Sequence, residues 1–211
     1  MTRAYQVLFY TLLFSGVFLV IFSQWPALQA AAEIITGLVL ISAALVASLE
    51  SRHFYVILGL SVVMFVSHVA SVVFDLGDLA VVARGLVVGF IVVLSVVLAR
   101  DVFFRSSTVD AQVLYGAMSL YLLIGFCFAY AYAAAERFDP GSISGLSDTN
   151  PEHGLIEFFY FSFITLTTLG YGDMAPVKPV ARGLSMVEAL LGQIYLAVVI
   201  ARVVAMSMLR R

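Results

Sequence analysis

The stretch Thr167-Thr168-Leu169-Gly170-Tyr171-Gly172-Asp173 gathers the groups in this chain best suited to binding. Gly170 and Gly172 reach backbone conformations that residues with side chains resist, so successive carbonyls can be turned to one side without steric penalty. Thr168 adds a hydroxyl and Asp173 closes the run with a carboxylate. The chemistry on offer is coordination by oxygen rather than bond breaking. Other candidates are scattered. Glu188 lies in a long apolar run, where an ionisable group is costly and faces protein or water. It reads as an acceptor supporting the glycine-rich loop, as a proton sensor, or as a glutamate hydrogen-bonded near a helix end. His68 titrates near neutral pH if exposed, or is simply hydrogen-bonded within a helix. Ser67 and His68 in one apolar run, with Asp75 at its end, form the best set for a membrane enzyme or transporter. That reading lacks a second run with complementary groups, and no internal repeat accompanies it. The lone Cys127 excludes a disulfide framework or a cysteine metal site within one chain.

The elements that must position these groups follow from composition. The 211 residues are 63% hydrophobic and 11% charged, against roughly 45–50% and about 25% in soluble domains. Such a chain cannot build a soluble surface, which excludes a cytosolic enzyme. At ~20 apolar residues per crossing, spanning runs extend from Tyr5 to Phe22, Ala30 to Leu49, Phe54 to Phe74, Leu79 to Ala99, Ala111 to Ala135 and about Val180 to Leu209. The expected fold is therefore an all-α membrane protein with six transmembrane helices. A cleavable leader is the rival for the first run, but no small-residue cleavage site stands out. Between the fifth and sixth runs, the apolar part of Pro151 to Pro179 spans only Leu155 to Leu166, too short to cross. It reads as a re-entrant helix and loop, and irregular backbone at membrane depth must face protein or a water-filled cavity.

Basic residues set the orientation. With the N-terminus inside, Arg3, Arg52, Arg100, Arg105, Arg210 and Arg211 are cytoplasmic, and Arg137, Lys178 and Arg182 lie outside. This excess predicts a multi-pass protein of the cell membrane with both termini cytoplasmic. The outer segments carry Asp75, Asp78, Glu136, Asp139, Asp148, Glu152, Glu157 and Asp173, either solvated loop charges or a field that draws cations.

The run Thr167 to Asp173, preceded by the aromatic-rich Glu157 to Leu166 and flanked by two long apolar runs, closely resembles the selectivity-filter signature of tetrameric potassium channels. The resemblance is strong from about Leu155 to Ala205 and only architectural before that. It implies a pore helix (155–166) and a filter (168–172) between helices 5 and 6. There the backbone carbonyls of Thr168, Leu169, Gly170 and Tyr171, with the Thr168 hydroxyl, replace the water around a dehydrated potassium ion. Leu169 and Tyr171 are then expected to turn their side chains away and pack behind the filter. The family usually has valine where Leu169 stands, and the added methylene bears on packing. Some members place a glutamate behind the filter. This chain has Ile164 there, so Asp173 needs another partner, for which Tyr160 is the candidate. The pore-helix C-terminus directs partial negative charge toward the cavity. The resemblance puts Gly192 at the place of a hinge, with close helix packing as the second reading. Gln193, Leu196 and Ile200 share one helical face toward the cavity and a possible gate.

The layout also resembles voltage-gated channels, yet the fourth run holds only Arg84. One charge supplies ~2.3 kcal/mol per 100 mV, too little for steep gating, so Arg84 is expected to pair with Asp75 or Asp78. The expected organisation is a four-helix unit over 1–105, placed like a voltage sensor but without its arginines, and a pore domain over 106–211. Only Arg210 and Arg211 follow the last run, so no soluble ligand domain is expected; Arg202 is expected to snorkel to the lipid headgroups. The resemblance implies a homotetramer in lipid that conducts potassium passively. It implies potassium as permeant ion only, no other cofactor, no nucleic-acid partner and no enzyme activity. A pore without potassium selectivity is the nearer rival.

Overall fold

Apolar runs of spanning length become long helices, because a backbone without water must bond to itself. The computed structural model describes residues 4–21, 37, 59, 61–63, 65–67, 70, 77–105, 111–146 and 154–208. The protein is mostly helical: α1 (Ala4–Ile21), α2 (Gly77–Arg100) continued by a π-helical turn (Asp101–Arg105), α3 (Ala111–Phe138), β1 (Ile143–Ser144), α4 (Gly154–Leu166), β2 (Ala175–Pro176) and α5 (Pro179–Met208). Among the described residues, three segments are long and apolar enough to cross a membrane: Gly85–Phe103, Ala111–Phe138 and Pro179–Ala205. The 13 residues of α4 reach about 20 Å at ~1.5 Å per residue, short of a ~30 Å hydrocarbon core. The expected runs Ala30 to Leu49 and Phe54 to Phe74 lie outside the described residues, apart from isolated helical positions. So do His68 and Asp75, and so do the side chains of Arg84 and Asp78 on α2.

The chain divides into two units, Met1–Leu123 and Ile124–Arg211. In the first, α1 buries Leu8, Leu12 and Ser15, a spacing of four and three that defines one helical face. On α2, Val87, Phe90, Ile91, Leu94 and Leu98 are buried likewise. The Tyr5 hydroxyl donates to Asp101 Oδ2 at 2.8 Å, tying the start of α1 to the π-helical turn.

The second unit is built around α4. Phe158, Phe159, Phe161, Ile164 and Leu166 are all buried, covering nearly every direction around the helix, as a helix apolar all round requires. Aromatic rings from α3 meet it edge to face: Phe126 on Phe159 with centroids 4.8 Å apart, Tyr132 on Phe161 at 4.8 Å and Tyr130 on Phe159 at 5.8 Å. That geometry sets the positive ring edge on the negative face. On the other side α5 comes close enough that a Cβ at Gly192 would collide with the Leu166 carbonyl oxygen. Strands β1 and β2 pair antiparallel, Ile143 with Pro176 and Ser144 with Ala175. Much of α5 is uncovered, with Val180, Met186, Leu190, Ile194, Val198 and Ile200 all exposed.

Candidate functional site: the loop between α4 and α5

The loop starts from the way α4 ends. The Leu169 amide donates to the Ile164 carbonyl at 2.9 Å and the Thr168 amide to the Thr165 carbonyl at 2.9 Å. This crossed pair is a Schellman cap, whose left-handed position is usually glycine. Here it is Thr168, at φ 58°. A β-branched residue is an outlier there, at a cost of about 1–2 kcal/mol. Gly170 follows at φ 51° and Gly172 at φ 84°, whereas Leu169 and Tyr171 are not left-handed. The hand of the backbone thus alternates residue by residue from Thr168 to Gly172. A glycine occupies two of the three left-handed positions, where it carries no steric penalty. Alternation of this kind lets successive peptide groups present the same atom to one side, as in the backbone concavities that bind ions.

All seven residues from Thr167 to Asp173 are exposed. Leu169 and Tyr171, expected to pack behind the loop, are 55% and 69% exposed in the single chain. Gln193 on α5 is directed at the loop, its Nε2 donating to Thr168 Oγ1 at 3.4 Å. Leu196 and Ile200 are exposed further along the same helix. Thr167 bonds back to the Phe163 carbonyl at 2.7 Å.

Beyond the glycines, the Tyr160 hydroxyl donates to Asp173 Oδ2 at 2.7 Å, the partnership expected from the sequence. Ile164 is buried. The segment after Asp173 is pinned from outside. Its Val177 amide donates to the Ser142 carbonyl at 2.8 Å, Ser144 Oγ donates to the Ala175 carbonyl at 3.2 Å, and Lys178 pairs with Asp139. Glu136, expected to be a solvated or cation-attracting charge, instead receives the amides of Gly141 at 2.6 Å and Ile143 at 3.0 Å. Gly145, at φ 86°, lies so close to the Asp173 carbonyl that a Cβ would strike it.

Behind α4, Glu188 is fully buried. Its Oε1 lies 2.5 Å from Ser162 Oγ on α4, and its Oε2 receives the Tyr132 hydroxyl of α3 at 2.6 Å. Gly192, one turn on, is the close-packing position described above, so its lack of a side chain is used in helix approach. Sequence reasoning named Glu188 and Gly192 but missed Ser162, Tyr132 and Ser185. The spacing of Ser185, Glu188 and Gly192, three and then four, was the available signal of a shared face.

Comparison with known proteins agrees with this geometry. A family model described as "Ion channel" matches residues 117–208. The inward rectifier potassium channel Kirbac3.1 of Paramagnetospirillum magnetotacticum is 37% identical over 83 residues, covering 37% of this chain and 24% of the relative. The two pore potassium channel c of Oryza sativa subsp. japonica is 38% identical over 72 residues, covering 34% of this chain and 14% of the relative. The matches thus take in about a quarter or less of these relatives' lengths. No solved structure matches the chain significantly. The matched segment contains α4, the alternating loop and α5, and the family is one of transport proteins rather than enzymes. Over residues 117–208, then, the chain is similar to an ion-channel family model and, in shorter stretches, to potassium channels.

Proposed function

We propose that this protein is a potassium-selective channel of the cell membrane that passes ions passively through a homotetrameric pore. The chain crosses the bilayer six times with both termini cytoplasmic. Residues 1–105 form a four-helix unit without a working voltage sensor, and 106–211 form the pore domain. In it α4 is a re-entrant pore helix and 168–172 the filter, whose Thr168, Leu169, Gly170 and Tyr171 carbonyls and Thr168 hydroxyl coordinate potassium. The observation that carries this reading is the alternating backbone hand of Thr168, Gly170 and Gly172 directly beyond the cap of α4. One chain contributes one wall of carbonyls, and an ion stripped of water needs oxygens all round it. The exposure of Leu169, Tyr171 and much of α5 supports cover by neighbouring copies, and a closed ring of identical chains supplies it. Gln193, Leu196 and Ile200 then face the cavity below the filter.

The test is reconstitution of the purified protein in planar bilayers, with potassium on one side, sodium on the other, and voltage stepped from strongly negative to strongly positive. The expected current reverses at the potassium equilibrium potential, and its opening depends little on voltage. Reversal near zero would overturn the selectivity assignment. Steep gating would overturn the reading of the first four helices.

A further inference from the structure

Glu188 is the single acidic or basic side chain that is fully buried among the described residues, and its surroundings pose a counting problem. Ser162 Oγ lies 2.5 Å from Glu188 Oε1 and also 2.8 Å from the Gly125 carbonyl oxygen on α3. A hydroxyl has one proton to give, so it satisfies one of these two acceptors. At the other carboxylate oxygen, the Tyr132 hydroxyl is 2.6 Å away and itself lies 3.2 Å from Ser185 Oγ. The cluster has four oxygen-to-oxygen contacts at hydrogen-bond distance, and its three hydroxyls supply three protons. An ionised Glu188 leaves one contact with no proton between its oxygens.

We propose that Glu188 is held as the neutral carboxylic acid, donating from Oε1 to Ser162, and that in this form it is a positioning residue for the filter. The donors then run one way: Ser185 to Tyr132, Tyr132 to Glu188 Oε2, Glu188 Oε1 to Ser162, and Ser162 to the Gly125 carbonyl. Every proton is used once, and the chain laces α5 to α3 and α4. The groups facing Glu188 are Tyr132 and Cys127 from α3, Ser162 from α4 and Ser185 from its own helix. None is a cation that would hold a buried carboxylate in its charged form, and an unpaired charge in such a place neutralises. Ser162 lies on α4 between Phe161 and Phe163, less than two turns before Thr168, so whatever fixes Ser162 fixes the start of the filter. Loss of the proton turns the Ser162 hydroxyl onto the carboxylate and takes it from the Gly125 carbonyl, so α4 loses its hydrogen bond to α3 there. The positioning role rests on the channel reading; the protonation state does not.

The experiment uses the full chain, in detergent for infrared spectroscopy and in bilayers for current. The expected infrared result is a protonated-carboxyl carbonyl band at neutral pH that disappears in Glu188→Gln. An amide keeps an acceptor for Tyr132 and a donor for Ser162, so E188Q also keeps its potassium-over-sodium selectivity. In the unaltered protein that selectivity falls by up to ~10-fold at alkaline pH, the scale of losing one neutral hydrogen bond, and in E188Q it stays flat. Absence of the band, or an E188Q channel with the same alkaline loss, overturns the proposal. Should E188Q fail to assemble, Tyr132→Phe removes a donor to the carbonyl oxygen and must shift the band upward; an unmoved band is equally fatal. A band present in a protein whose current reverses near zero at every pH leaves the protonation assignment standing and sinks the positioning role with the channel reading.

Discussion

The loop between α4 and α5 is held at both ends, by different means. At its helix end the hold is buried: Gly192 against the Leu166 carbonyl, Glu188 between Ser162 and Tyr132, and rings meeting edge to face. At its far end the hold is largely exposed: the two-residue pairing of β1 with β2, the Tyr160–Asp173 bond and the Lys178–Asp139 pair. Away from water a hydrogen bond is stronger and an unpaired group costlier, whereas an exposed ion pair is screened and competes with solvent. The buried end therefore sets where the loop begins, while the exposed end restrains it through several small terms. Between them, Thr168 to Gly172 has no cover from its own chain, so the geometry of that stretch depends on both anchors.

The most severe way to break the buried anchor is Gly192→Val. A branched side chain there meets the backbone carbonyl of Leu166, which cannot rotate away as a flexible side chain would, and overpacking a tight contact costs about 3 kcal/mol or more. The expected result is loss of the proposed tetramer on size-exclusion chromatography, with the chain still inserted in membranes. An assembled variant of unchanged stability would mean that α4 and α5 are not in contact at Gly192.

Gly145→Ala attacks the exposed anchor where it is tightest. The alanine must hold a left-handed conformation at about 1 kcal/mol or more and also displace the Asp173 carbonyl. The expected loss is about 2–3 kcal/mol in local terms, and it falls on the loop rather than on the helices. Accordingly the thermal midpoint should drop less than for the Gly192 variant, while single-channel openings shorten. A variant with lower stability and unaltered openings would separate the pairing of β1 with β2 from the loop it flanks.

These two glycines also mark what could be read from the residues alone. Helix positions were legible because burial in lipid is a matter of length and hydropathy: the run Leu79 to Ala99 became Gly77–Arg100, and the segment 155–166 became Gly154–Leu166. The partnership of Tyr160 with Asp173 was expected only through the resemblance, which supplies a glutamate at the place where this chain has Ile164. Thr168 was not legible as a left-handed residue, because its type argues against that conformation and only the cap of α4 demands it. Nor were Tyr132 and Ser162 as partners of Glu188, since pairing across helices depends on rotation about each axis, which no single periodicity specifies. Strands of two residues have no period at all, so the role of Gly145 and Glu136 had no signal beyond their types.

Tyr132→Phe sharpens the comparison by removing one bond while keeping shape. The ring contact with Phe161 survives, and the buried Glu188 loses the donor at Oε2. Leaving a buried acceptor unsatisfied costs about 1–3 kcal/mol, and the conserved shape favours the lower half of that range. The thermal midpoint should fall independently of salt, because the site is shielded from ions. A salt-dependent loss would show that water reaches Glu188.

Lys178→Met gives the smallest effect and the most telling contrast. Lys178 pairs with Asp139 and also donates to the Pro140 carbonyl at 2.6 Å, with the two charged side chains 33% and 56% exposed. Exposed pairs of this kind are worth ~0.2–1 kcal/mol, and at 1 M salt a Debye length of about 3 Å removes most of their attraction. The variant should therefore be slightly less stable than the parent at low salt and converge with it at high salt, measured as thermal midpoints across a salt series. Convergence assigns the far anchor to screened electrostatics, in contrast to the salt-indifferent loss expected at Tyr132. A gap that persists at high salt would instead mean that the apolar stem of Lys178 and its bond to Pro140 carry the hold, and the far end would resemble the buried one more closely than its exposure suggests.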